Sequence, residues 1–300
     1  MKIGLIDVDG HGFPNLALMK LSAWHKQHGD DVEWHFGLEP HYDRVYISKV
    51  FTEIYSKDVL DPCNADEIVR GGTGYGFGNW LPSEIEHMMP DYSLYHDLIP
   101  ETRDSAYGFL TRGCPNACPF CIVSCKEGRK SRKVANLSEW WDGQKNIVLL
   151  DPNLLACRQK LSLLDQLAKS KAWVDFTQGL DARLLNEKTI EALNKVKTKR
   201  IHFAWDLMKN SKKVVKGLKL YNEFGKIKDC SRRIVYVLTN FDTTLQEDLY
   251  RIYTLRDEIG YNPYVMVYDK PNAPDEIRKL QRWVNNRRIF KTVDRFDDYK

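Results

Sequence analysis

The sequence predicts an α/β protein in two parts, a small open parallel-sheet domain over residues 1–100 and a partial (β/α)6 barrel over 101–300. Three observations predict it. Short apolar runs alternate with longer segments whose apolar residues recur at three- and four-residue spacing, which is the pattern of strands followed by helices. Glycine- and aspartate-bearing turns follow strand ends in the first part. In the second part, polar side chains stand at the carboxyl ends of the strands, where parallel α/β folds bind their ligands.

The first part opens with an apolar strand over 2–8 that runs into Asp9-Gly10-His11-Gly12-Phe13-Pro14. Pro14 suits a helix start, where its missing N–H costs nothing, and Gly29 suits the helix end. Further strands are expected over 32–36, 44–50 and 67–69, the last leading into Gly71-Gly72-Thr73-Gly74-Tyr75-Gly76. Residues 91–103 hold Pro100 and mixed charge without periodicity, and mark the expected boundary.

In the second part strands are expected over 106–110, 146–150, 173–176, 200–204, 233–238 and 263–267, with helices over 154–170, 187–196, 245–259 and 275–288. Their rims carry Asp151-Pro152-Asn153, then Thr177-Gln178-Gly179-Leu180-Asp181-Ala182-Arg183, Asp206 and Asn240. Each of these could also be an ordinary turn or helix-cap residue.

Four of the seven cysteines, Cys114, Cys118, Cys121 and Cys125, fall within twelve residues on a loop stiffened by Pro115 and Pro119. The first three are spaced C-x3-C-x2-C, with Phe120 just before the third. Structural zinc sites usually take two separated pairs of ligands, and ferredoxin-type clusters commonly begin C-x2-C-x2-C. Three thiolates on a cubic cluster would leave one iron open to an outside ligand. A site of four thiolates, completed by Cys125, is the alternative.

The stretch Cys114-Pro115-Asn116-Ala117-Cys118-Pro119-Phe120-Cys121 resembles the signature of the radical S-adenosylmethionine (SAM) superfamily. The resemblance implies a partial TIM-like barrel in which Cys114, Cys118 and Cys121 hold a 4Fe–4S cluster whose fourth iron is chelated by SAM. It implies reductive cleavage of SAM to a 5′-deoxyadenosyl radical that abstracts hydrogen from an unidentified substrate. By the same resemblance Phe120, Gln178 and Asp181 join the cofactor site, Asp151 and Asn153 approach the SAM amino group, Arg183 its carboxylate and Asp206 its ribose. A small flavodoxin- or ferredoxin-like electron donor is implied as partner. The Rossmann-like first part resembles cobalamin-binding domains through Asp9-Gly10-His11 and the glycine-rich turn at Gly71, but Pro14 stands where the family's D-x-H-x-x-G stretch has glycine. Cobalamin is therefore not the favoured reading and the domain is expected to shape the substrate opening, with a cobalamin-dependent radical SAM methyltransferase using both parts as the alternative within the superfamily.

Two other classes stay in view: an iron–sulfur electron-transfer or redox-sensing protein, and a zinc-stabilised nucleic-acid-binding module. A net charge of only +4 gives no strong nucleic-acid signal. No apolar run approaches a membrane span, and clustered cysteines without a secretory signal suit a reducing compartment, so a cytoplasmic protein is expected.

Overall fold

The computed structural model describes residues 1–10 and 12–300; His11, of the stretch that resembles cobalamin-binding domains, lies outside the described residues. The chain divides into two compact units, Met1–Gly108 with Ala135–Ile147, and Phe109–Val134 with Val148–Lys300.

The first unit is built on four parallel strands, β1 (Lys2–Asp7), β2 (Asp31–Trp34), β3 (Tyr42–Ser48) and β4 (Ala65–Gly71), in the order β2–β1–β3–β4. Helix α1 (Leu16–Gln27) covers one face, where Leu18 and Leu21 pack with Ile3, Leu5 and Ile85. Its cap is Asn15, whose side chain accepts from the Leu18 N–H at 3.3 Å, so the helix begins just after Pro14. Ile85 comes from the short helix α2 (Ser83–Glu86). Strand β5 (Ser105–Gly108) and Trp140 complete this unit, and Gly108 lies where any Cβ would strike the Trp140 ring.

In the second unit a two-residue antiparallel ribbon, β6 (Thr111–Arg112) with β7 (Arg132–Lys133), closes the base of the cysteine loop, which carries the one-turn helix α3 (Val123–Lys126). Strand β8 (Asn146–Leu149) runs across the division between the units, and β9 (Trp173–Phe176), β10 (Ile201–Ala204), β11 (Arg233–Thr239) and β12 (Asn262–Val267) follow in chain order. Strands β10–β11–β12 form one ladder, and an isolated parallel bridge from Leu180 to Phe203 links the segment after β9 to β10. Helices α4 (Lys160–Ser170), α5 (Glu187–Lys195), α6 (Ser211–Phe224), α7 (Leu245–Tyr253), α8 (Asp275–Asn285) and α9 (Arg287–Thr292) alternate with them. Val265 on β12 packs among Leu249, Ile252, Leu280 and Trp283. Among the described residues no helix is long and apolar enough to cross a membrane.

Three predicted helices are interrupted, each for a local reason. Asn153 caps a separate turn, Leu154–Ala156, before α4 begins. The last turn after α7 widens into a π-turn, Thr254–Glu258, in which Ile259 N–H bonds Thr254 O. Asn286 ends α8 and caps α9 by accepting from the Arg288 and Ile289 N–H groups.

Two contacts tie this scaffold to its carboxyl rim. Gly217 on α6 meets the turn after β9 so closely that a Cβ there would lie 1.9 Å from the Ala182 carbonyl oxygen. Asp151, 6% exposed just beyond β8, accepts from the Leu110 N–H at 2.7 Å and from the Thr111 hydroxyl at 2.6 Å, which holds the segment leading into the cysteine loop. Burial pushes its carboxyl up to about 7 against these hydrogen bonds.

Gly217→Ala should therefore lower the urea midpoint, with a destabilisation on the order of 1–3 kcal/mol; an unchanged midpoint would show that α6 can retreat without loss. For Asp151 the folded value is raised, so its contribution to stability is present below the unfolded carboxylate range and is lost as pH rises through about 7. Relative to Asp151→Asn, the cluster-free wild-type chain should lose on the order of 2–4 kcal/mol between about pH 4 and pH 8. Urea titrations of both proteins across this range test it, and a constant difference would mean an unshifted carboxyl.

Candidate functional site: a three-cysteine loop at the strand ends

The cysteine loop is held at its base by Glu127. This buried carboxylate accepts from the Gly113 N–H at 2.9 Å and pairs with the Arg112 guanidinium at 2.9 Å, while its own carbonyl accepts from Arg132 at 2.6 Å. Gly113 has φ +84°, and a Cβ there would come within 2.4 Å of Lys130 O, so the turn into Cys114 requires glycine. Cys114 N–H then bonds Gly128 O at 3.1 Å, and Cys121 N–H bonds Cys118 O at 3.0 Å. Cys114, Cys118 and Cys121 are each half-buried, whereas Cys125 is exposed on α3.

The rim of β8 and β9 meets this loop. Asn153 donates through Nδ2 to the Cys114 sulfur at 3.5 Å and to Asp181 Oδ2 at 3.3 Å, while its Oδ1 caps the turn at Ala156. Asn116, from inside the loop, donates to the same Asp181 oxygen at 3.1 Å. Arg183 forks onto Asp181 at 2.8 and 2.7 Å. Burial opposes ionisation of Asp181, but Arg183 and Asn116 outweigh it and hold the carboxyl below its ordinary range.

Asp206 stands just beyond the end of β10, half-buried, with its carboxyl pushed up to about 6 by burial and by Asp181 against the pull of Arg251 and Arg183. Burial also pushes the Cys118 and Cys121 thiols up, and Asp206 and neighbouring cysteine sulfurs add to the shift. These mutual effects place the three thiols and Asp206 around one locus. Phe120 packs edge-on against Phe241 at 5.2 Å, and Phe241 in turn against Tyr268 at 4.9 Å.

Of the residues singled out in the sequence, Cys114, Cys118, Cys121, Asn153, Asp181, Arg183 and Asp206 thus come together. Asp151 faces Leu110 and Thr111, Arg183 is committed to Asp181, and Gln178 is exposed. Glu127 and Asn116 escaped the sequence reading; the single acid within the basic run 126–133 was the available signal for Glu127.

Among the described residues no three His, Cys, Asp or Glu side chains are grouped to hold a single metal ion. A polynuclear cluster takes each thiolate on a different iron, so its ligands stand farther apart than those of one zinc ion. Three soft sulfur donors on one loop, with an amide N–H directed at one sulfur, fit an iron–sulfur cluster.

No protein-family model matches the chain. A CDK5RAP1-like protein from Oryza sativa subsp. japonica is 24% identical in an alignment of 156 positions that covers 46% of this chain and 26% of that protein. The chain thus spans about a quarter of that curated relative's length. The radical SAM methyltransferase TsrM from Kitasatospora setae, solved with cobalamin and a 4Fe–4S cluster bound, superposes with a TM-score of 0.62 at 11% identity, covering 89% of this chain and 74% of that one. The same enzyme with tryptophan substrate and the SAM analogue aza-SAM gives a TM-score of 0.54 at 11% identity, over 79% of this chain and 67% of that one. With its parallel α/β strands and amino-terminal parallel sheet, the chain shares the fold of these TsrM structures.

Proposed function

We propose that the chain is a radical SAM enzyme in which Cys114, Cys118 and Cys121 each give one thiolate to a 4Fe–4S cluster. The observation that carries this reading is the meeting of those three thiols with Asn153, Asp181, Arg183 and Asp206 at the strand ends. When bound, the cluster and SAM supply reductive carbon–sulfur cleavage and hydrogen-atom abstraction from substrate. The chain's own residues hold and orient. Asn153 fixes the Cys114 sulfur by its N–H, and Glu127 fixes the turn in front of it. Arg183 and Asp206 face the locus with a cation and a carboxylate suited to the charged and hydroxyl groups of SAM. Phe120 and Phe241 offer an apolar wall that limits water. The basic run 126–133 suits an acidic flavodoxin- or ferredoxin-like donor.

A second reading, a cobalamin-dependent methyltransferase, takes its support from TsrM, a methyltransferase solved with cobalamin. The glycine-rich turn after β4 bears on it. A Cβ at Gly72 would lie 2.3 Å from Lys49 O, and one at Gly74 would lie 2.4 Å from Phe51 O, so these glycines serve loop-on-loop packing inside the first unit. The first reading therefore stands ahead. The purified chain supplied with hydroxocobalamin should not retain it; one cobalamin kept per chain would reverse the order.

The primary test is anaerobic reconstitution with iron and sulfide. Alanine at Cys114, Cys118 or Cys121 should each abolish the cluster absorption, and Cys125→Ala should keep it. With dithionite and SAM the wild type should release 5′-deoxyadenosine. Arg183→Ala should weaken SAM binding about tenfold to a hundredfold with iron content intact, the loss expected for one charged hydrogen bond. Equal loss of cluster in Cys125→Ala and Cys118→Ala would establish a four-thiolate site instead.

A further inference from the structure

The sheet β10–β11–β12 has two faces of different character. In its register Phe203, Val235 and Pro263 share the face that carries Val265 into the helical core. The opposite face presents His202 on β10, Tyr236 on β11, then Tyr264 and Met266 on β12. The His202 and Tyr236 rings stack at 5.4 Å with an interplanar angle of 5°, and Tyr264 meets Tyr236 edge-on at 5.9 Å. Asp175, from β9, joins this row: its carboxylate oxygen lies 3.2 Å from His202 Nδ1.

Three features mark the row as a binding surface rather than filling. Tyr264 and Met266 are 43% and 46% exposed, although apolar side chains in the middle of a strand normally pack. The Asp175 side chain is 52% exposed, and among the described residues no lysine or arginine pairs with it. His202 is 9% exposed, yet its Nδ1 has no aligned hydrogen-bond partner although it lies near Asp175. The row is also continuous with the rim. The Tyr236 hydroxyl donates to Thr177 O at 3.0 Å, and a Cβ on Gly179 would lie 3.1 Å from the Tyr236 ring, so Tyr236 underlies the turn that carries Asp181 and Arg183.

An exposed carboxylate at the end of an aromatic row is complementary to an organic cation, because the full negative charge and the ring quadrupoles both favour it. An anion would meet Asp175, and a neutral apolar group would leave that carboxylate buried without a partner. We infer that Asp175, His202, Tyr236 and Tyr264 form the substrate-recognition face, and that it takes the ammonium group of an amine-bearing substrate. This rests on the radical SAM reading for the word substrate; the cation site itself stands on the row alone.

The test titrates the cluster-loaded protein with benzylammonium, benzyl alcohol and benzoate, followed by protein NMR shifts, with SAM affinity and 5′-deoxyadenosine release measured on the same samples. Benzylammonium should bind at least tenfold more tightly than either of the others. Asp175→Asn should remove at least tenfold of that preference and Tyr264→Leu several-fold, while both variants keep the cluster, SAM affinity and SAM cleavage. Equal binding of the three probes, or no effect of Asp175→Asn, would overturn the inference, as would a parallel loss of SAM affinity, since the face would then serve SAM. Ammonium binding without SAM cleavage in the wild type would sink the enzymatic reading and leave the cation site standing; cleavage without ammonium binding would do the reverse.

Discussion

One carboxylate, Asp181, accepts hydrogen bonds from three separate segments of the second unit: Asn116 inside the cysteine loop, Asn153 at the end of β8, and the Arg183 guanidinium and backbone N–H on its own turn. Asn116 lies in the loop, while Asn153 and Asp181 stand at the starts of single turns, so no strand ladder joins the three segments to one another. A shared acceptor does it instead. The forked pair with Arg183 keeps Asp181 ionised despite burial, and an ionised carboxylate is the stronger acceptor for the two amides. Through Asn153 the same junction reaches the Cys114 sulfur. The amide that meets the first thiol is thus shared with a charge pair several tens of residues downstream.

The other end of the rim is braced in a different way. Arg251 on α7 is fully buried and donates to the carbonyls of Trp205 at 2.8 Å, Asp206 at 3.0 Å and Leu238 at 2.7 Å, with Asp248 as its counter-charge at 2.5 Å. One guanidinium thus joins the ends of β10 and β11, where the chain leaves the sheet and its carbonyls would otherwise lack partners. Only arginine offers enough planar donors for that pattern. The Asp206 backbone is pinned by this contact, which leaves its side chain directed by the end of β10 and not by a flexible turn.

How much of this was legible in the sequence follows from what each feature depends on. The strands were readable because their apolar runs record burial, and the helices because their caps and periodicity are local. The ribbon β6–β7 was not, since two residues per strand carry no periodic signal. The rim polar residues could be named, but their partners could not: Asp151 turns to Leu110 and Thr111 because those groups are brought to it by folding, and nothing near Asp151 in sequence records that. Arg251 looks like a solvated residue of an amphipathic helix until the three carbonyls are in place. The glycine-rich turn could be named for its resemblance to cobalamin-binding domains, while only the fold shows that Gly72 and Gly74 make room for Lys49 O and Phe51 O.

The charge balance around the cysteines completes the physical picture. Burial, with the neighbouring sulfurs and Asp206, pushes the Cys118 and Cys121 thiols up. Asp181 already takes up the charge of Arg183, and Asp206 adds a further acid to the locus without a cation of its own in contact. A protein surface that needed only to be stable would gain from another base here. A bound metal centre would bring positive charge of the kind that stabilises coordinated thiolates and releases their protons, which would offset this penalty.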